Sequence, residues 1–213
     1  MTDSKQIRRA WITTAMGDTT LMHGFRDNEF DGKKDKAKRF QLRAGFAQAE
    51  EDLPSRFVGS KRTRKPGSPP PPYLFTAGGL LAMNKSCAEV LRGFDLGDGG
   101  LHPITLWEAD EVTPVPGDYY LLNFGARKEA LLVDQSPHAR EVRELKKWSF
   151  ILDAVLPGEP ACMLTSNALE GADMWCDPLV TRAVFVSERL VSALREAEMA
   201  ELFNFRFCSI KDE

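Results

Sequence analysis

Histidine is scarce in this chain, and so is any ordered grouping of residues that do chemistry. The three histidines, His23, His102 and His138, stand apart from one another in 213 residues. A metal site needs clustered ligands, as in H-x-x-x-H, so the spacing gives no metal ligands. The four cysteines, Cys87, Cys162, Cys176 and Cys208, form no C-x-x-C pair, which argues against a zinc knuckle. They read as reduced and buried, because free cysteine packs as a small apolar side chain. No G-K-[ST] follows Gly78-Gly79 or Gly97–Gly100, so turn glycine is the reading rather than a phosphate loop. No apolar run approaches the ~20 residues of a membrane helix. Behind Lys5, Arg8 and Arg9, the stretch Ala10–Met16 is too short and too polar for a secretory core. Cytoplasmic residence is therefore expected, with no cofactor and no membrane partner.

What is present supports a packed core. Hydrophobic residues make up 43% of the chain, and its length suits one large domain or two small ones. The net charge of −3 is unevenly placed. Residues 1–72 hold 15 Lys+Arg against 9 Asp+Glu, a balance of +6; residues 73–213 hold 13 against 22, a balance of −9. A basic front and an acidic body suggest that the two parts face different things.

The clearest break is Ser60–Pro72, SKRTRKPGSPPPP. Four prolines in a row favour polyproline II, so this reads as a basic linker or exposed loop. It divides a weakly patterned region, 1–59, from a well patterned body, 73–213. In the front, Arg9–Thr14 reads as a strand because Trp11, Ile12 and two threonines favour extended backbone. Asp27–Arg39 reads as a solvated loop or the polar start of a helix, and Phe40–Glu51 as helical.

In the body, Asn84 or Ser86 starts a helix, with Ser86 and Glu89 at capping-box spacing. Cys87, Val90, Leu91 and Phe94 share one face, and Gly93 is placed to stop the helix. Strands are expected at Ile104–Trp107, Tyr119–Phe124 and Ala130–Asp134, the last two as a hairpin across Gly125–Glu129. The charged Pro137–Lys147 reads as a surface helix, and Trp148–Leu156 and Cys162–Thr165 as extended. Ala183–Val186 reads as a strand. Ser187 then caps a helix whose first turn carries Glu188 and whose stripe is Leu190, Val191, Leu194 and Ala197. Phe203, Phe205 and Phe207 alternate with polar residues, as in a half-buried strand. These elements predict an α+β fold: a mixed or antiparallel sheet packed by a few helices, with a less regular N-terminal region. Residues 73–213 are expected to fill the core by themselves.

Four places carry a family resemblance: Asp118-Tyr119-Tyr120-Leu121-Leu122-Asn123; Asp134-x-Ser136; Trp175-x-Asp177; and Val184-Phe185-Val186-Ser187 running into Leu190-x-x-Ala193-Leu194. With the closing aromatic strand, residues 73–213 resemble a bacterial immunity-protein family of polymorphic toxin systems, long catalogued as a domain of unknown function. The resemblance implies a small cytoplasmic, non-enzymatic protein that binds and neutralises a cognate toxin. Tyr119, Asp134, Ser136, Trp175, Asp177 and Ser187 are its motif residues.

Read for chemistry, these positions give no catalytic set. Asp134 and Ser136 lie near His138, but a nucleophilic triad needs geometry that spacing does not supply. Trp175 reads as a packing residue and Asp177 as the cap of the turn before Pro178. The expected toxin contacts are carboxylates in the turns of the acidic body, Asp95, Asp98, Asp110, Glu111, Glu170 and Asp173. Complementary charge of this kind speeds association with a basic partner. The alternative function is a nucleic-acid-binding or regulatory protein. It would act through the basic front, with Lys33–Arg39 and Lys61-Arg62-Thr63-Arg64-Lys65 neutralising phosphates. Solvated loops are the plainer reading of those runs, so nucleic acid is not the expected partner.

Overall fold

Trp11 and Ile12 stand in a run of apolar and β-branched residues, and that run lies at the centre of a sheet. The computed structural model describes residues 9–27 and 33–211, with backbone alone for 33–36. Along the described chain the strands of the first half are β1 (Arg9–Thr13), β2 (Met22–Arg26), β3 (Arg56–Gly59), β4 (Leu74–Ala77), β5 (Leu80–Asn84), β6 (Gly100–Trp107) and β7 (Tyr119–Asn123). Those of the second half are β8 (Ala139–Val142), β9 (Lys147–Phe150), β10 (Met163–Leu164), β11 (Met174–Trp175), β12 (Val184–Ser187) and β13 (Arg206–Ile210). The helices are α1 (Lys33–Arg43), α2 (Lys85–Leu91) and α3 (Glu188–Glu196). The fold is α+β, as expected.

Two sheets carry the architecture. One has the order β10-β13-β1-β12-β11; the other closes into a barrel, β2-β3-β6-β7-β5-β4. A barrel this small is filled by its own side chains: Phe25, Phe57, Phe75, Ile104, Leu106, Tyr119 and Leu121 occupy it, with Leu42 of α1 alongside. The open sheet is covered on both faces. Trp11, Val184 and Val186 pack with Leu91 of α2, Leu190, Val191 and Leu194 of α3, and Leu81 and Leu122 from the barrel. Ile12, Phe185 and Cys208 face a second cluster with Trp175, Cys162 and Leu164.

The helices follow their caps. Ser187 Oγ accepts from Leu190 N at 3.3 Å, and Glu188 sits in the first turn of α3. The indole of Trp11 donates to Glu188 Oε2 at 2.9 Å, which fastens α3 to β1. At α2 the cap is Asn84, whose Oδ1 accepts from Cys87 N at 3.0 Å. Ser86 is exposed and does not cap the helix.

Several expectations are corrected. Residues 73–213 do not fill the core alone. β1 lies between β12 and β13, pairing Trp11 with Val186 and with Phe207, and β2 and β3 complete the barrel. Tyr119–Asn123 forms no hairpin with Ala130–Asp134. It pairs with β5 and β6, while Leu131 makes only a bridge to Leu164. Pro137–Lys147 is not a helix. Ala139–Val142 and Lys147–Phe150 pair as a β-hairpin through a turn at Arg143–Leu145. The first helix, Lys33–Arg43, begins within Asp27–Arg39, where a polar helix start was one of the two readings, and stops at Arg43, well short of the expected end at Glu51; residues 28–32 lie outside the described residues. The closing strand begins only at Arg206, and Cys208 is buried while Phe205 and Phe207 are half-buried. Alternation fails there because both faces of the sheet are covered.

Candidate binding surface

Five of the six motif residues, all but Asp134, are internal fastenings. Asp177, buried, accepts from Ala130 N (2.8 Å) and Leu131 N (2.9 Å) through Oδ2 and from Leu179 N (2.8 Å) through Oδ1. One carboxylate thus holds a passing loop and caps its own turn, which satisfies three backbone donors in a buried place. Trp175 is fully buried and stacks on Phe185 at 5.7 Å and 17°. Ser136 Oγ donates to Leu132 O (2.7 Å) and accepts from Met163 N (3.1 Å). Tyr119 donates its hydroxyl to Pro116 O at 2.6 Å. Burial raises the Tyr119 pKa, ahead of the smaller effects of Arg64 and Glu108. Asp134 is exposed on a 3-10 turn.

The acidic turn residues fall into two groups at opposite ends of β6. Asp95 and Asp98 precede that strand and Asp110 and Glu111 follow it. Eight residues at about 3.3 Å each hold the groups roughly 25 Å apart. At the first end Asp95, Glu170 and Asp173 surround Lys128, whose pKa burial nonetheless lowers to about 8. Lys128 donates to Ala172 O at 2.7 Å and sits 3.9 Å over the Trp175 ring. Asp173 is only 1% exposed. It accepts from Asp95 N (2.9 Å), Ser187 Oγ (2.5 Å) and the Arg189 guanidinium. Asp95, Asp98 and Glu170 remain exposed. At the other end Asp110 accepts from Val112 N, Thr113 N and the Thr113 hydroxyl, and these bonds hold its pKa below the ordinary value. Glu111 is exposed beside it.

Part of the basic front turns inward. Arg64 is buried in Ser60–Pro72 and forms a two-bond pair with Glu108, at 3.0 and 3.2 Å, over the Phe25 ring. Arg39 pairs with Asp27 and Lys38 with Asp52.

A surface that sequence reading missed lies between α1 and the β8–β9 hairpin. It is an open cleft of about 420 Å³. Its walls come from residues 16–22, the end of α1, residues 145–147 and residues 180–182. Phe40 (58% exposed), Met22 (53%) and Leu145 (46%) present apolar surface, and Arg43, Lys147 and Arg182 line it with positive charge. No carboxylate is among its described lining residues. Trp148 N donates to Leu179 O (2.7 Å) and Thr181 N to Trp148 O (2.8 Å), which brings Lys147 alongside Arg182. Burial, then Arg39 and Arg182, push the Arg43 pKa down. The only signals in the sequence were Phe40 in a charged segment and Leu145 in a charged loop, and neither announces a shared site.

The three histidines lie apart, on β2, on β6 and before β8. No helix among the described residues is long and apolar enough to cross a membrane. In comparison with known families, the Immunity protein family (Imm11) matches residues 18–212. The match takes in the resemblance read from residues 73–213 and extends it over β2, α1 and β3. No curated protein matches the chain.

Proposed function

Since the chain belongs to the Imm11 immunity protein family, we propose that it neutralises a cognate toxin by binding it in the cytoplasm, with no chemistry of its own. The observation that supports this reading is the division of labour among polar groups. Asp173, Asp177, Ser136 and Ser187 are committed to internal bonds. The exposed features are charged turns and a half-apolar cleft, which suit contact with another macromolecule. The exposed carboxylates Asp98, Glu170 and Glu111 serve in this reading as rim charges that set association rate, with Asp95, Asp110 and Asp173 also holding their turns in shape.

The test is co-expression with the cognate toxin, followed by binding measurement on the purified pair. Growth should be rescued, and the complex should have nanomolar affinity or better, about −12 kcal/mol. Reversing Asp98 and Glu170 together should slow association at low salt and leave the fold intact. Toxicity undiminished by the wild-type protein contradicts the reading. Tight, salt-dependent binding to random DNA in place of toxin binding would move the function to the basic front.

A further inference from the structure

The cleft between α1 and the β8–β9 hairpin is an open surface feature whose composition packing does not require. Three cations line it: Arg43 donates to Gly79 O, Lys147 lies 5.8 Å from the centre of the Phe40 ring, and neither Lys147 nor Arg182 has a carboxylate partner among the described residues. The nearest carboxylate in sequence, Asp18, accepts from Thr20 N and the Thr20 hydroxyl instead; Glu144 is exposed in the hairpin turn without lining the cleft. Like charges gathered at one surface repel weakly in water, and a carboxylate placed among them under a covering partner would be attracted by all three.

The backbone adds a second sign. Arg182, at φ 60°, lines the cleft in the left-handed conformation without being glycine, while Lys146, at φ 50°, closes the hairpin turn beside it. Such strain persists where surrounding structure holds it and is concentrated at binding sites. Here the hydrogen bonds between β9 and residues 179–181 hold it.

Shape narrows the occupant. A small-molecule pocket buries about 70–90% of its ligand. Phe40, Met22 and Leu145 are each close to half exposed, so a free small anion would stay largely wet. A protein surface, by contrast, can cover the apolar rim while placing a carboxylate among the cations.

We propose that this cleft is the toxin's docking site and that it takes an acidic segment of the toxin carrying an apolar side chain. The proposal rests on the neutralisation reading and supplies the anchor that the rim carboxylates lack. Interfaces concentrate their energy in a few central residues, and rim charges act mainly on rate.

The experiment measures binding kinetics and growth protection with the purified toxin. It compares wild type with Lys147→Glu/Arg182→Glu, Phe40→Ala, Leu145→Glu and the off-cleft reversal Lys61→Glu/Lys65→Glu. The cleft reversal should weaken affinity by about 30-fold or more, chiefly through faster dissociation, and Phe40→Ala by about 10-fold. Leu145→Glu, in an exposed turn, guards against misfolding and should weaken binding with an unchanged melting temperature. The off-cleft reversal should stay within about threefold. Cleft variants that bind as tightly as wild type overturn the proposal while leaving the neutralisation reading in place. A wild type that fails to bind removes both. A wild-type dimer dissolved by the cleft reversal would assign the cleft to a second copy. Saturation of the cleft by ATP with toxin binding undisturbed would assign it to a small anion. Either result overturns the proposal.

Discussion

Arg64 and Glu108 show how much a single residue can hide from sequence reading. Arg64 stands in a run of basic residues that reads as solvated, yet its guanidinium is buried against the Phe25 ring and paired twice with Glu108. Nothing in the local spacing points to a partner 44 positions away. Removing one member of a buried pair strands the other charge without water, at roughly 3–5 kcal/mol. Glu108→Ala should therefore lower unfolding free energy by about that much in urea titrations, while Glu108→Leu with Arg64→Met should cost much less. A loss under about 1 kcal/mol for the single variant would show that water reaches the site. Trp175 and Asp177 are the opposite case. Aromatic bulk and an acid before proline predict packing and turn capping, and the carboxylate does cap its turn through Leu179 N. Its hold on Ala130 and Leu131 was not legible, because a backbone donor leaves no mark in sequence.

Among elements, those with a local signal were readable. α3 has a serine cap, an acidic first turn and an apolar stripe, and Leu190, Val191 and Leu194 are fully buried. Leu194→Ala should cost about 2–5 kcal/mol, as a filled core site does; a melting curve within error of wild type would mean that α3 is not packed as described. The strand residues Tyr119–Asn123 were legible as a strand, but their partners were not. Nearness in sequence favoured Ala130–Asp134, whereas the barrel pairs them with β5 and β6. Pro137–Lys147 misled for a different reason. Dense charge without apolar periodicity distinguishes poorly between an exposed helix and an exposed hairpin, and pairing of Glu141 with Trp148 decided it. The Arg9–Thr13 strand carries the right residues, but its central place depends on chain ends that meet only in three dimensions.

At the scale of the whole molecule, the basic front and acidic body are one structure rather than two functional halves. Strands from before and after Ser60–Pro72 share both large sheets. The charge asymmetry read from the sequence survives in another form, as carboxylate turns at both ends of β6 and a cationic, apolar cleft assembled from four remote segments. No spacing rule could have found that cleft, since its walls span residues 16 to 182. On the proposal above, this Imm11 immunity protein stops its toxin by direct contact through the cleft. Amide hydrogen exchange of the full chain, alone and with an excess of purified toxin, tests it most directly. New protection is expected at residues 16–22, 40–44, 145–147 and 180–182, with the α3 and barrel-core amides unchanged. Protection confined to other surfaces, or none at all under conditions where the toxin is in excess, would contradict it.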